Sequence, residues 1–118
     1  MKSLNWSKML KRLLPPEAIL LIITMWTVFI VDASLPAIDL NNLGILPRTT
    51  EGLTGVLASP FLHGGLAHII SNTAPLLILP LLIRLSVGST QLRLVLFIGI
   101  MGSGLGTWLF GSNNLVIG

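Results

Sequence analysis

The sequence predicts an all-α membrane protein, and its composition and its long uncharged runs are the observations that predict it. Of the 118 residues, 53% are hydrophobic and only 9% are charged, whereas about a quarter of the residues in a soluble chain are charged. So few charged side chains could not cover a core of this size with a water-facing surface, which excludes a soluble globular domain. Three apolar stretches then supply candidate membrane helices, because about 20 apolar residues in a helix cross the hydrocarbon.

The first predicted membrane helix covers residues 15–35. The uncharged run from Ala18 to Val31 is too short to cross by itself, but its flanks extend it. Pro15 and Pro16 are suited to a first helical turn, where a missing N–H costs little, and Pro36 marks a stop.

Residues 1–14 form a basic segment ahead of this helix. A cleaved signal peptide is an alternative for the same region, because a basic segment followed by an apolar run fits that template. Glu17 inside the supposed leader and the poor pattern of small residues near Ala33 count against it.

The second and third membrane helices are predicted over residues 65–83 and 94–110. The charge-free stretch Gly52–Ile83 is too long for one upright helix, so a break is expected at Pro60 and the Gly64-Gly65 pair. Residues 53–59 are then expected to form a short segment in or on the membrane interface.

Basic residues predict the orientation, because Lys and Arg resist translocation. Arg84 and Arg93 frame the connection between the second and third helices, and four more basic residues precede the first: Lys2, Lys8, Lys11 and Arg12. We therefore expect a multi-pass protein with a cytoplasmic N-terminus and an external loop over residues 36–64. The basic residues are too few and too localised for a nucleic-acid surface, so the lipid bilayer is the expected partner.

Past the third helix, a polar turn leads into another apolar run. Residues 111–114 are polar or small, and Leu115, Val116 and Ile117 begin an apolar segment that stops at Gly118. We interpret this as the opening of a fourth membrane segment, before which the chain is truncated.

Three polar side chains in or next to the second helix are candidates for function: His63, His68 and Asn72. His68 and Asn72 are four residues apart and share a helix face. Both offer N–H donors while neutral, so they could stabilise a negative oxygen, as an oxyanion hole does. Hydrogen bonding between helices is the alternative. His63 and His68 are poorly spaced for one metal and no third ligand is near, so no metal or cofactor is expected.

Helix packing in the second and third spans is expected to follow from their prolines and glycines. Pro75 and Pro80 predict a kink or local unwinding below Asn72. The Gly102-x-x-x-Gly106 spacing predicts close helix approach. Trp26 is expected to face lipid.

These residues resemble the motifs of a known family of membrane proteins. The run Pro60–Asn72, PFLHGGLAHIISN, resembles the second transmembrane helix of the rhomboid intramembrane serine proteases, with its H-x-x-x-x-H-x-x-x-N pattern. The loop Leu43–Arg48 is similar to that of a bacterial subgroup, which implies a bacterial plasma membrane. The ending Val116–Gly118 resembles the approach to the family's G-x-S-G motif, with Gly118 as its first glycine. The resemblance implies a six-helix core, of which this chain carries three helices.

The resemblance also implies the roles of the residues. His68 and Asn72 would form the oxyanion hole with the backbone N–H at the nucleophile, and His63 would support them. The parent protein would hydrolyse peptide bonds of transmembrane protein substrates. The nucleophilic serine and the histidine base of the family are absent here, so the 118 residues alone are expected to be inactive. Arg84 stands where many members carry a glutamate.

The sequence is also compatible with two other functions. A non-catalytic rhomboid-like protein would bind transmembrane helices without cleaving them. A small structural membrane protein would use His68 and Asn72 only to hold its helices together.

Overall fold

The computed structural model describes residues 3–118, which fold into five α-helices and contain no β-strand. Lys2, counted above in the basic N-terminus, lies outside the described residues. The helices in chain order are α1 (Trp6–Leu13), α2 (Pro16–Ser34), α3 (Gly55–Ala58), α4 (Leu66–Val87) and α5 (Ser89–Phe110).

The helices α2, α4 and α5 are each long and apolar enough to cross a membrane. They confirm the predicted all-α membrane fold with three spans. The ends differ from those expected. The α4 helix continues past residue 83 to Val87, and α5 begins at Ser89 rather than at residue 94. Gly88 alone joins them, with a φ of 98° that favours glycine.

Each of the three long helices buries an apolar side chain, at a different depth of the bundle. Met25 of α2, Ile69 of α4 and Leu92 of α5 are almost completely buried. Many other large apolar side chains of these helices are exposed, as expected for surfaces that face lipid. Trp26, which was expected to face lipid, is half-buried, and its Nε1 donates to Thr73 Oγ1 of α4 at 3.0 Å. An indole N–H in an apolar setting needs an acceptor, and α4 supplies one.

The first loop, residues 35–65, is a chain of short turns packed against α5. It contains 3₁₀ turns at Leu40–Leu43, Glu51–Leu53 and Ser59–Phe61, with α3 between the last two. The loop approaches α5 closely at Gly104, where an added methyl group would lie 2.8 Å from Val56 Cγ1. By contrast, nothing described lies within 4 Å of a methyl placed at Gly102 or Gly106. The close approach in α5 is therefore made by Gly104 and not by the predicted glycine pair.

Arg48 fastens the first loop to the end of α5. Its Nη1 donates to the carbonyl oxygens of Leu109 and Gly111, at 3.2 and 2.7 Å, and its Nη2 donates to Asn113 Oδ1. The last carbonyls of a helix have no partner within it, and a cation there also complements the helix dipole. Arg48 adopts a φ of 58°, which points its side chain along this path.

The residues after α5 return across the first loop. Ile45 and Val116 exchange two backbone hydrogen bonds of 2.9 and 2.8 Å, and the Gly118 N–H donates to the Ser59 carbonyl at 2.8 Å. This return places Gly118 beside the start of α4.

At the other end of the bundle, two arginines hold the start of α2. Arg84 Nη1 donates to the Leu14 carbonyl at 3.0 Å, and Arg93 Nε lies 3.3 Å from Glu17 Oε1. Between the two ends, α4 is helical without interruption through Pro75 and Pro80. The predicted local unwinding below Asn72 is therefore not found.

Candidate active site

His63 enters the site from the first loop and not from α4. The turn Ser59–Phe61 ends at Leu62, whose backbone is extended, and Gly65 caps α4. The segment between them turns His63 inward, so that only 3% of its surface is exposed. His63 and His68 therefore do not share one helix, and their separation in sequence does not set the angle between their side chains.

Asn72 lies one turn beyond His68 on α4 and binds His63. Its Nδ2 is 2.8 Å from His63 Nε2. In this pairing the amide donates and the imidazole accepts, so the neutral ring carries its proton on Nδ1. An amide nitrogen has two N–H groups, and one of them remains available.

Burial controls the charge of His63. Loss of hydration lowers the pKa of His63 below its ordinary value, the carbonyl of Phe61 acts in the opposite direction, and the neighbouring His68 lowers it further. The Nδ1 atom is buried and has no partner in hydrogen-bond geometry among residues 3–118. A neutral imidazole is the form that these surroundings favour.

His68 packs against both His63 and the returning C-terminal segment. The two imidazole centroids are 4.8 Å apart with the rings at 61°. A methyl group at Gly118 would lie 2.5 Å from His68 Nε2, so a side chain here would displace the imidazole. Gly118 also has a φ of 85°. This backbone conformation favours glycine.

A cavity of about 380 Å³ opens beside these residues. It lies between the three long helices and the first loop, and its lining includes Met25, Ser59, Asn72, Ser103 and Gly118. Asn72 thus binds His63 and also lines the cavity, whereas His68 contacts the lining residue Gly118 and does not itself line the cavity. The arrangement offers an amide N–H and an imidazole near one space, beside a glycine main chain.

The structure brings His63, His68, Asn72 and Gly118 together, but with partners that the spacing did not predict. Asn72 pairs with His63 rather than acting only beside His68. Ser59 was missed: it is buried, lines the cavity and accepts from Gly118. A lone serine before a proline carries no signal for this role. Within residues 3–118, no third His, Cys, Asp or Glu joins the two histidines in a group that could hold a metal.

Comparison with protein families matches the chain to the Rhomboid domain over residues 50–118. The matched segment covers more than half of the chain and contains His63, His68, Asn72 and Gly118. No solved structure gives a significant match to the chain.

Similar proteins occur in mycobacteria. An uncharacterized protein of Mycobacterium tuberculosis and one of Mycobacterium bovis are each 44% identical over 75 residues, which is 64% of this chain and 30% of the relative. An uncharacterized protein of Mycobacterium leprae is 38% identical over 74 residues, covering 63% of this chain and 29% of the relative. The matched part thus spans about a third of each relative. Because the family match covers more than half of the chain, and the fold has three helices long and apolar enough to cross a membrane, this chain belongs to the rhomboid family.

Proposed function

We propose that the full-length protein is a rhomboid-type serine endopeptidase that hydrolyses peptide bonds of transmembrane protein substrates. The observation that carries the proposal is that Asn72 and the Gly118 main chain line one cavity, with the His68 imidazole against Gly118. Asn72 and His68 supply side-chain N–H donors of the kind that such a reaction needs.

The chemistry assigns a role to each residue. Attack of a serine hydroxyl on a peptide carbonyl moves negative charge onto the carbonyl oxygen. The second N–H of Asn72 and an imidazole N–H of His68 would donate to that oxygen, and each such donor contributes roughly 100- to 1,000-fold to kcat. His63 accepts the first N–H of Asn72 and so fixes the direction of the second. The Gly118 N–H is already donated to Ser59, so the backbone donor would come from the residues that follow in the G-x-S-G motif.

The 118 residues by themselves are proposed to be inactive. The chain contains only two histidines, His63 and His68. Both have roles in the oxyanion site, which leaves no base for a serine.

The test compares His68→Ala with Ser71→Ala in the full-length protein. Among the described residues the His68 imidazole makes no hydrogen bond, and the side chain of Ser71 donates to the backbone carbonyl of His68 at 2.8 Å. Removing the imidazole therefore breaks no hydrogen bond and loses only its packing against His63 and Gly118. We expect His68→Ala to reduce cleavage of a transmembrane substrate about 100-fold or more, with the midpoint of unfolding nearly unchanged and Ser71→Ala near wild type.

Unchanged turnover in His68→Ala would overturn the role proposed for His68. A wild-type full-length protein that binds a transmembrane helix and leaves it intact would overturn the proteolytic function, and the protein would then be a non-catalytic member of the family. Asn72→Ala is less informative, because it also leaves the buried His63 without its partner.

We further propose that the N-terminus is cytoplasmic and that the first loop faces the exterior of a bacterial plasma membrane. The chain has no cysteine, so single cysteines at Asn42 and Ser89 can be labelled cleanly. We expect an impermeant thiol reagent to label Asn42→Cys in intact cells and Ser89→Cys only after permeabilisation. The reverse pattern would invert the topology.

A further inference from the structure

The α1 helix separates apolar and basic side chains onto opposite faces. At about 100° per residue, its apolar side chains fall within an arc of about 100°: Trp6, Met9, Leu10 and Leu13. Its basic side chains occupy the opposite arc: Lys8, Lys11 and Arg12. No acidic residue interrupts either face. Such separation is typical of helices that lie in a membrane surface.

The apolar face of α1 is only partly covered by the described residues. The helix buries none of its residues: Trp6 and Leu10 are 63% and 50% exposed, and Met9 and Leu13 are half-buried. A helix this short is not stable in water without packing, although the Asn5 side chain caps it by accepting from the Lys8 N–H at 3.2 Å. Another apolar phase must therefore cover this face.

The position of α1 identifies that phase. Only Leu14 and Pro15 separate α1 from α2, which crosses the membrane. The Leu14 carbonyl is held by Arg84 at the end of α4, so the junction is fixed to the bundle where the spans end. The apolar face of α1 is thus kept within reach of the acyl chains at the membrane surface.

We propose that α1 is a membrane-surface helix that binds anionic phospholipid headgroups through Lys8, Lys11 and Arg12 while its apolar face enters the leaflet. Arg84 and Arg93 at the same end are engaged within the bundle, whereas no carboxylate of α1 neutralises its three cations. A headgroup phosphate supplies the missing negative charge, and one basic residue near an anionic leaflet shifts the equilibrium roughly fivefold.

The test places a fluorophore on either face of α1 in the whole chain. Because the chain has no cysteine, Leu10→Cys can carry an environment-sensitive dye on the apolar face, with Ser7→Cys as the matched control. The protein is placed in nanodiscs of phosphatidylcholine alone or with phosphatidylglycerol, and acrylamide serves as a neutral quencher. We expect the dye at position 10 to be protected and the dye at position 7 to be quenched. Phosphatidylglycerol should increase the protection at position 10.

Charge variants then isolate the headgroup contribution. In the Leu10→Cys background, Lys8→Gln, Lys11→Gln and Arg12→Gln together should abolish the effect of phosphatidylglycerol, a loss on the order of 100-fold in the docking equilibrium. Lys8→Arg with Lys11→Arg keeps the charge and should keep the effect. High salt should weaken it, because screening shortens the reach of the charges.

Three results would overturn the proposal. These are equal quenching at positions 7 and 10, protection that does not respond to phosphatidylglycerol, and protection that requires two protein copies in one nanodisc. No substrate is used, so each outcome concerns α1 and leaves the proposed proteolysis untouched.

Discussion

Replacing Gly104 by alanine should loosen the first loop from α5, because α3 crosses α5 at this residue. A methyl group there would lie 2.8 Å from Val56 Cγ1, 3.1 Å from Val56 O and 3.2 Å from Val56 Cα. Carbon atoms in favourable contact are about 3.5–4.0 Å apart. Rotation of the Val56 side chain can relieve only the first of these contacts, so the α3 backbone itself must move by roughly half an ångström.

Such overpacking costs about 1–3 kcal/mol, which corresponds to a fall of roughly 5- to 150-fold in the folding equilibrium constant. The same substitution at Gly102 is the matched control, because nothing described lies within 4 Å of the added methyl. There the helix should lose no stability, and the better helix propensity of alanine could add up to about 1 kcal/mol.

Reversible unfolding of the chain in mixed micelles, titrated with a denaturing detergent, measures both variants. Adding Val56→Ala to Gly104→Ala should restore part of the loss, since it removes the Cγ1 contact and leaves the backbone contacts. Equal stability of the Gly104→Ala and Gly102→Ala proteins would refute the reasoning. A Val56→Ala rescue to full wild-type stability would show instead that the clash is with the side chain alone.

The same titration tests three further predictions. Because burial lowers the pKa of His63, the unfolded chain binds the proton first as the pH falls below the ordinary value of 6.5. Stability should therefore be highest above that pH and decline toward acid, and His63→Gln should flatten the decline. Arg48→Lys should cost about 1–3 kcal/mol, since an ammonium cannot reproduce the guanidinium fork; wild-type stability would contradict this. A double-mutant cycle of Glu17→Gln and Arg93→Gln should give less than about 1 kcal/mol of coupling, because the Arg93 side chain is 64% exposed, and a larger value would mean that the pair is insulated from water.

The membrane helices followed from the sequence because the bilayer demands long apolar runs, and few other structures satisfy that demand. The ends of these helices could not be predicted in the same way, because charged residues were taken as the helix boundaries. Arg84 and Arg93 lie within α4 and α5, and each reaches a partner at the start of α2. A charge at the headgroup level therefore marks the edge of the hydrocarbon and not the end of a helix.

The sequence predicted which residues form the candidate site, but not which of them contact one another. The histidine and asparagine spacing singled out the side chains that the structure gathers beside Gly118. The bond between Asn72 and His63 depends on the direction of the chain through Gly64 and Gly65, which is set by packing of the first loop. The contacts of Arg48 could not be predicted from the sequence, because its acceptors are backbone carbonyls distant in sequence.

The single-residue link at Gly88 couples the depth of α4 in the membrane to that of α5. Two helices joined so tightly cannot slide past each other, so a thinner or thicker bilayer must be met by tilting the pair as one body. Asn72 is carried by α4, and the loop that delivers His63 rests on α5 through Gly104. Bilayer thickness should therefore change how far the cavity sits from the aqueous boundary while leaving its internal distances intact.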